Sequence, residues 1–339
     1  MFRLLGILIT VLFAIATAIV VWPQFFGMEQ VFPFAQLVAV RGVVAVGFGA
    51  VAVLALLLLL AKPLRGFAAS ILIVALIGAG ASAGIGFLRG VGPEPMPEKA
   101  DGSVRVLTWN TAGEAVSAEV IAEEILASDA DIVTLPETAE SVGSRIAVML
   151  REQGHPMWVH HVDFRPDVAN GPQAWQTTIL ISPELGDYSV IRSSSDGTSN
   201  TSSLPSAVVM PIDGDGPTVV AVHAVAPRPE AMRRWQSDLA WIADQCPRGD
   251  FILAGDFNAT IDHMASLGVA GGDMGHCRDA ASRTGSGAVG TWPAELHELL
   301  GAPIDHVMAS PDWEPTGSAV IDAGGSDHRG LLVQLDPVD

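Results

Sequence analysis

The sequence predicts an α/β protein preceded by three transmembrane helices. Three long apolar runs in the first 88 residues explain why the mean hydropathy of the 339-residue chain reaches +0.39. Beyond residue 100, short apolar runs typical of strands alternate with longer stretches of helical character. Several of the short runs end in Asp, Asn, Glu or His. Because ligands bind at the strand ends of α/β sheets, these residues indicate a functional site.

The three apolar runs cover about residues 4–21, 38–61 and 67–88. Each is long enough to cross about 30 Å of hydrocarbon at about 1.5 Å per residue. The first run is not followed by a small-residue cleavage site and a polar start, so we expect a retained helix rather than a cleaved signal peptide. The length of the other two runs and their lack of a polar face argue against helices of a soluble core.

Positive residues in the short loops indicate the orientation of these helices. Arg3 precedes the first run, and Lys62 and Arg65 lie between the second and the third. Loops that carry Lys and Arg stay on the cytoplasmic side of a membrane, so three spans leave the rest of the chain on the opposite side. Arg41 and Arg89, at the opposite ends of the runs, weaken this contrast. We expect a multi-pass protein of the cell membrane with an extracytoplasmic catalytic domain.

A Pro- and Gly-rich stretch at residues 89–102 predicts a semi-rigid linker between a membrane anchor, residues 1–88, and a catalytic domain, residues 103–339. A Ser-rich run at residues 193–203 is either a substrate lid or a plain connection. We expect strands near residues 104–110, 131–137, 174–182, 206–212, 218–223 and 251–256, and helices near 114–127, 138–153 and 230–245.

Six motifs at the ends of expected strands carry the candidate chemistry. They are Trp109-Asn110, Pro136-Glu137, Val222-His223, Gly255-Asp256-Phe257-Asn258, Ile304-Asp305-His306 and Ser326-Asp327-His328. One strand ending in Asp or Asn is common, but the six in this order resemble the endonuclease/exonuclease/phosphatase superfamily, the metal-dependent fold of pancreatic-type deoxyribonuclease and bacterial sphingomyelinase. The resemblance extends from about Val104 to Leu335. It implies a four-layer α/β sandwich, in which two mixed β-sheets pack face to face between helices.

The resemblance also implies a divalent cation, Mg²⁺ or Mn²⁺, and residues that hold it. Glu137 matches the metal-binding glutamate of the family, Asn110 matches the residue that contacts the metal shell or the phosphate, and Asp327 would be a second metal ligand. Without the resemblance, Glu137 would be an ordinary acid at a helix start and Asn110 a turn residue that ends a strand.

The catalytic residues follow from the same match. Asp256 and Asn258 lie two positions apart, so an extended chain directs both side chains to one face. The family uses them as a base or water-positioning carboxylate and a phosphate-binding amide, although Asp-x-Asn is equally typical of an Asx turn. Asp305 and His328 form the implied dyad, in which the carboxylate fixes the imidazole tautomer. His223 is the candidate general acid.

Charge and cysteine content limit the partners. The net charge is −19, and the residues up to Leu88 carry about +3, which leaves roughly −22 for the rest. Since proteins that grip long nucleic acids present clustered basic residues, this acidity disfavours such binding. Arginines that could still form a positive patch are Arg145, Arg151, Arg165, Arg192, Arg228, Arg233 and Arg234.

Cys246 and Cys277 permit a disulfide.

Three functions are compatible with these features. The first is an envelope phosphodiesterase or phosphatase that acts on lipid head groups or small phosphoesters, and acidity together with the membrane anchor favours it. The second is an extracellular nuclease. The third is a catalytically idle binding module held at the membrane, which the presence of every essential polar residue type disfavours. No protein partner is predicted.

Overall fold

The computed structural model describes residues 2–92, 95–164, 171–191, 201 and 204–338. Within those residues, three long helices precede an α/β sandwich, which confirms the expected fold class. The Ser-rich run at 193–203, apart from Thr201, lies outside the described residues, as do Arg165 and Arg192.

The amino-terminal region contains three long apolar helices and one short helix. They are α1 (Phe2–Val21), α2 (Phe34–Ala39), α3 (Arg41–Leu58) and α4 (Arg65–Arg89). By length and composition, α1, α3 and α4 could each cross a membrane. The second predicted helix, 38–61, is instead interrupted at Val40, whose φ of −115° and ψ of 57° are not helical. The first residues of this run, 38 and 39, therefore belong to α2, which ends before α3 begins.

Two mixed β-sheets, each of six strands in the described part of the chain, form the centre of the second region. The first sheet contains, in spatial order, β11 (Trp313–Ile321), β12 (Gly330–Pro337), β1 (Val104–Thr108), β2 (Ile132–Pro136), β4 (Gln176–Ile181) and β3 (Trp158–Asp163). The second contains β5 (Tyr188–Ile191), β6 (Ala207–Pro211), β7 (Thr218–His223), β8 (Phe251–Asp256), β10 (Asp305–Ala309) and β9 (Arg278–Asp279). The only parallel pairs among them are β1 with β2 and β7 with β8.

The main core lies between the two sheets, where Val106 and Ile132 of the first meet Val219 and Ile252 of the second. Helices cover both outer faces, which completes four layers. The helices are α5 (Ala118–Ser128) and α6 (Glu140–Glu152) on the first sheet, α7 (Met232–Asp244) on the second, and the short α8 (Ile261–Met264) and α9 (Ala280–Arg283). Apolar strands buried on both faces are expected of sheets in such a sandwich.

Helix α5 begins later than the predicted residue 114. Gly113–Ala115 forms a single 3₁₀ turn, and the Ser117 hydroxyl then accepts a hydrogen bond from the Val120 amide. Serine is a favoured residue at this capping position because its side chain satisfies an amide at the helix start. The apolar residues Ile121 and Ile125, one turn apart, are fully buried against the first sheet.

A disulfide joins Cys246 and Cys277, both of which are buried. It connects the end of α7 to the segment before β9, across a sequence separation of 31 residues. The bond that the sequence permitted is therefore present, and it links two parts of the second sheet's outer layer.

The amino-terminal helical region and the sandwich meet at Asp262, whose side chain is 1% exposed. Arg41 at the start of α3 and Arg89 at the end of α4 each donate two hydrogen bonds to this carboxylate, at 2.6–2.7 Å. Next to it, the backbone of Arg89 and Gly90 bonds to the segment 285–288. The chain just after α4 is thus attached to the sandwich, and Arg41 and Arg89 of the helical region neutralise a carboxylate of the sandwich.

We expect Asp262→Ala to destabilise the protein strongly. The substitution leaves the guanidinium groups of Arg41 and Arg89 largely buried without their carboxylate, a change that typically costs about 3–5 kcal/mol. Thermal unfolding of the full chain in detergent measures the loss.

Asp322→Ala is the matched control for this experiment, because Asp322 also pairs with an arginine, Arg329, but is 54% exposed. It should cost less than about 1 kcal/mol. Equal melting temperatures for Asp262→Ala and the parent protein would show that the two arginines do not depend on this carboxylate.

Candidate active site

Three candidate residues form a row across the second sheet. His223 at the end of β7 pairs in register with Asp256 at the end of β8, and Asp256 pairs with Asp305 at the start of β10. Residues directly opposite on neighbouring strands direct their side chains to the same face. All three are buried, so the row is a compact group of ionisable side chains at one edge of the sheet.

The first sheet contributes Asn110 and Glu137, which follow β1 and β2. The Asn110 side-chain amide donates to Asp256 Oδ2 at 3.1 Å and to Glu137 Oε1 at 3.4 Å. One amide therefore links the two sheets across the site. Glu137 has a φ of 62°, an uncommon value for a non-glycine residue. Such backbone conformations cluster at functional sites.

Asp256 and Asn258 form a tight local unit. The Asn258 backbone amide donates to Asp256 Oδ1 at 2.8 Å, which is the Asx turn that the sequence allowed. The Asn258 side chain also donates to Asp256 Oδ2 at 3.1 Å and to the Ala224 carbonyl at 2.9 Å. The turn thus orients the carboxylate, and it does not withdraw Asp256 from its contact with Asn110.

Asp305 and His328 are hydrogen-bonded, with 2.8 Å between Asp305 Oδ2 and His328 Nδ1. The carboxylate accepts, so Nδ1 carries the proton and Nε2 is directed toward Asp256 Oδ2, 3.9 Å away. Burial alone would lower the pKa of His328, but the charges of Asp305 and Asp256 outweigh it and raise that pKa well above its usual value. Burial and Asp305 raise the pKa of Asp256.

His223 faces the same group from β7. Its Nε2 lies 3.7 Å from Glu137 Oε1, and its backbone amide donates to the Ser206 hydroxyl at 2.9 Å. Burial, followed by repulsion from His328, lowers the pKa of His223 to about 3. The ring is therefore neutral at physiological pH. A nearby phosphoryl group would have to raise this pKa before His223 could act as a general acid.

Asp327 occupies the rim. Its Oδ2 accepts a hydrogen bond from the Trp292 indole at 3.0 Å, and its backbone carbonyl accepts one from Ala294. Asp327 lines the same cavity as Glu137, and its negative charge contributes to raising the pKa of Glu137, after the larger effect of burial. The carboxylate is thus near Glu137 but is held by Trp292.

Two hydroxyls outside the set of candidate site residues position the site. Ser326 Oγ donates to the Asn110 carbonyl at 2.7 Å and accepts from the His328 amide at 3.0 Å. Thr291 Oγ1 accepts from the Asp305 amide at 3.2 Å. Ser326 stands within the Ser-Asp-His motif. Thr291 lies 14 residues before Asp305, in a Thr291-Trp292 pair that resembles a structural motif of the family.

A cavity of about 810 Å³ contains the site. Asn110, Glu137, His223, Asp256, Asn258, Asp327 and His328 all line it. Arg228 and Arg234 line it as well, so two of the arginines noted in the sequence are brought together at the site. Part of the wall comes from the amino-terminal helical region, namely Gln36 and Ala39 of α2 with Val40. The site is therefore enclosed by both regions of the chain.

The residues fit a divalent cation. The nearest donor atoms of Asp256, Asp305 and His328 lie within 4.8 Å of one another. Because the raised pKa of His328 keeps its ring protonated, the two carboxylates of this group, and not the ring, are the candidate ligands. Asp305 Oδ1 is buried and has no hydrogen-bond partner among the described residues. Glu137 and Asn110 add carboxylate and amide oxygens close by. Carboxylate and amide oxygens suit hard ions such as Mg²⁺ and Mn²⁺.

The arrangement suits hydrolysis of a phosphoester. Asp256, poised by its raised pKa, can take a proton from an attacking water, and Asn258 fixes its orientation. His328, held by Asp305 and kept protonated on both nitrogens by its raised pKa, can present its Nε2 hydrogen to a phosphoryl oxygen or to the departing oxygen. A bound divalent cation would supply charge neutralisation on the phosphoryl oxygens.

Gly255 is required for this geometry. A Cβ at this position would lie 1.9 Å from the Val222 carbonyl oxygen, and the φ of 153° is one that other residues rarely adopt. We expect Gly255→Ala to cost about 3 kcal/mol or more, because neighbouring strands β7 and β8 would have to separate. Denaturant unfolding measures the loss.

The control is Gly154→Ala, a glycine with a φ of 81° where a Cβ would meet nothing within 4 Å. This substitution should lower the free energy of unfolding by only about 1 kcal/mol, because of backbone strain. Equal losses in the two variants would contradict the proposed clash and leave backbone strain as the sole cause.

A family model described as the endonuclease/exonuclease/phosphatase family matches residues 107–328, about two thirds of the chain. The chain belongs to the endonuclease/exonuclease/phosphatase family. The resemblance inferred from the six motifs is thereby confirmed. Enzymes of this family hydrolyse phosphoesters with the help of divalent metal ions, which agrees with the donor set at the strand ends.

Solved structures of family members share the sandwich. An endonuclease/exonuclease/phosphatase from Beutenbergia cavernae is 19% identical over 69% of this chain and 72% of its own, with a TM-score of 0.51. The human Nocturnin catalytic domain is 17% identical over 71% of this chain and 96% of its own, with a TM-score of 0.51. Humanized D. rerio TDP2 is 14% identical over 69% of this chain and 99% of its own, with a TM-score of 0.51. No curated protein matches the sequence. At these sequence identities, the structural similarity establishes the shared fold alone.

Proposed function

We propose that this family member is a membrane-anchored phosphoester hydrolase, dependent on Mg²⁺ or Mn²⁺, that acts outside the cytoplasm on lipid head groups or small phosphoesters. Residues 1–88 would form the anchor, 89–102 the linker and 103–339 the catalytic domain. The observation that carries the proposal is the composite wall of the catalytic cavity, to which α2 and Val40 contribute. A cavity bordered by the anchor would open at the head-group layer of a bilayer.

In this proposal Asn110, Glu137 and Asp327 hold the metal. Their shared cavity and the contact between Asn110 and Glu137 support the assignment. The hydrogen bond from Trp292 fixes one oxygen of Asp327 and leaves the other available.

The proposed catalytic residues are His223, Asp256, Asn258, Asp305 and His328. Asp256 would activate or position water and Asn258 would hold it in place, while Asp305 orients His328. His223 would contact the phosphoryl group as a neutral ring and become an acid only once that negative charge is bound.

Two observations support the extracytoplasmic orientation. Arg41 and Arg89, which opposed the positive-inside pattern, are paired with Asp262, so they are not free loop charges. The Cys246–Cys277 disulfide is typical of proteins in oxidising compartments. Arg3, Lys62 and Arg65 then remain as the positive residues of the cytoplasmic side.

The test uses the full chain in detergent micelles with Mg²⁺, Mn²⁺ or EDTA. Its substrates are mixed micelles of phosphatidylglycerol, bis-nitrophenyl phosphate and plasmid DNA. Formation of diacylglycerol or phosphatidic acid from the lipid, release of nitrophenol from the small diester and nicking of the plasmid are followed side by side. We expect metal-dependent hydrolysis of the lipid or the small diester, with little cleavage of DNA.

Rapid DNA cleavage would overturn the substrate assignment and favour the nuclease, for which Arg228 and Arg234 in the cavity would be the phosphate contacts. If none of the three substrates is hydrolysed with either metal, the result would favour the catalytically idle binding module. Activity that persists in EDTA would contradict the metal requirement.

A further inference from the structure

A second cavity, of about 540 Å³, lies where the outer ends of α3 and α4 meet the sandwich. Its walls are mainly apolar or small, and they include Val38, Ala45 and Phe87 from the anchor and Leu299 and Pro303 from the domain. The volume falls within the range of small-molecule sites in proteins. None of the candidate catalytic residues lines it.

One end of this cavity is charged. Arg41, Arg89 and Asp262 all line it, so two guanidinium groups face one carboxylate among the lining residues, while Asp273 and Asp279 act on Arg89 from outside the lining. The cluster is largely withdrawn from solvent, since the side chains are 10%, 21% and 1% exposed. An anionic group bound at this end would complete the charge balance.

A buried hydroxyl also faces the cavity. Ser82 on α4 lines it and is 1% exposed, yet its Oγ has no hydrogen-bond partner in the part of the chain that the structure describes. A buried hydroxyl without a partner is destabilising, and most are satisfied by protein, water or a ligand. Ser82 lies two helical turns from Arg89, so a ligand that satisfies both must be elongated.

We propose that this cavity binds a membrane phospholipid, with its anionic head group at Arg41 and Arg89, its ester region near Ser82 and the start of an acyl chain along the apolar wall. The cavity lies at the depth where a bilayer changes from head groups to hydrocarbon if α3 and α4 span the membrane. The inference rests on that part of the proposed function alone, because no catalytic group takes part. The bound lipid would fasten the sandwich to the anchor.

Gly84→Leu is the variant that tests the site. Gly84 lines the cavity, and a Cβ there would meet nothing within 4 Å, so a larger side chain fills the space without a clash. Gly80→Leu is the matched control, because Gly80 is on the same helix with equally open surroundings but does not line the cavity. Ser82→Ala keeps the cavity open and removes only the hydroxyl.

The experiment is native mass spectrometry of the full chain released from detergent micelles, with EDTA present and with added dioleoyl phosphatidylglycerol or dioleoyl glycerol. We expect the parent protein to retain one phosphatidylglycerol per chain. Gly84→Leu should reduce this retention about fivefold or more, Ser82→Ala should also reduce it, and Gly80→Leu should leave it unchanged. Retention of dioleoyl glycerol should be weaker, since it lacks the phosphate.

No retained phospholipid in the parent protein, or equal retention in Gly84→Leu, would overturn the site. Equal retention of dioleoyl glycerol would overturn the role of the arginines. Binding is read out in EDTA, where no hydrolysis is expected, so the two proposals fail separately. A chain that retains the lipid here but hydrolyses nothing in the separate assay with Mg²⁺ or Mn²⁺ would refute the proposed catalytic function and leave this inference standing.

Discussion

His328→Ala should lower kcat by about 10³-fold while the affinity for the divalent cation changes little. The reason is that His328 Nε2 is directed into the site, whereas its Nδ1 is occupied by Asp305 at 2.8 Å. Removal of the ring abolishes a proton donor beside the phosphoryl group but leaves Glu137 and Asn110 in place. Steady-state kinetics and Mn²⁺ titration of the full chain measure the two effects separately.

His297→Ala is the control, because His297 is exposed and lies outside the catalytic cavity, and its kcat should equal that of the parent protein. Asp305→Asn adds a second check. If Asp305 acts only through His328, the double variant should lose no more than His328→Ala alone, since residues that act as a unit are not additive. Parallel losses of metal affinity and kcat in His328→Ala would contradict the proton-donor role.

Glu137→Gln should reduce metal-dependent activity by about 100-fold or more and weaken cation binding about tenfold or more. The substitution preserves size and can preserve the contact with Asn110, but it removes the negative charge that a divalent cation needs. Titration of activity with Mn²⁺ should show a higher half-saturating concentration as well as a lower plateau.

The matched control is Glu140→Gln, three residues along the chain at the start of α6 and outside the catalytic cavity. It should retain full activity and an unchanged Mn²⁺ requirement. Full activity of Glu137→Gln with the parent's metal dependence would remove Glu137 from the set of metal ligands.

Much of the fold was predictable because its determinants are local. Strand β7 has the bounds expected from its apolar run, and β8 ends at the expected Asp256, since a carboxylate after a buried strand marks the rim of the sheet. The break at Val40 was not predictable, because residues 34–61 form a nearly continuous apolar stretch. Hydrophobicity identifies a helix that fits a membrane, but it does not locate a bend within it.

His223 and Asp256 end their strands, as the motifs indicated, whereas Asp305 begins β10, and the cluster around Asp262 had no signal in the sequence. Asp262 is a single acid in Thr-Ile-Asp-His-Met, with no spacing to distinguish it from a surface residue. Its partners lie 221 and 173 residues away, so only the packing of the anchor against the sandwich reveals the cluster. Long-range pairings of this kind leave no pattern in one sequence.

The attachment of the sandwich at Asp262 affects how the protein would encounter substrates. A domain held by two arginines and by the backbone bonds at residues 285–288 does not sweep through solution on a loose tether. In a bilayer its reach would be restricted to molecules that diffuse laterally past it. Turnover of a lipid should then follow the mole fraction of that lipid in the membrane surface, and dilution of the vesicles in buffer should leave the rate per enzyme unchanged.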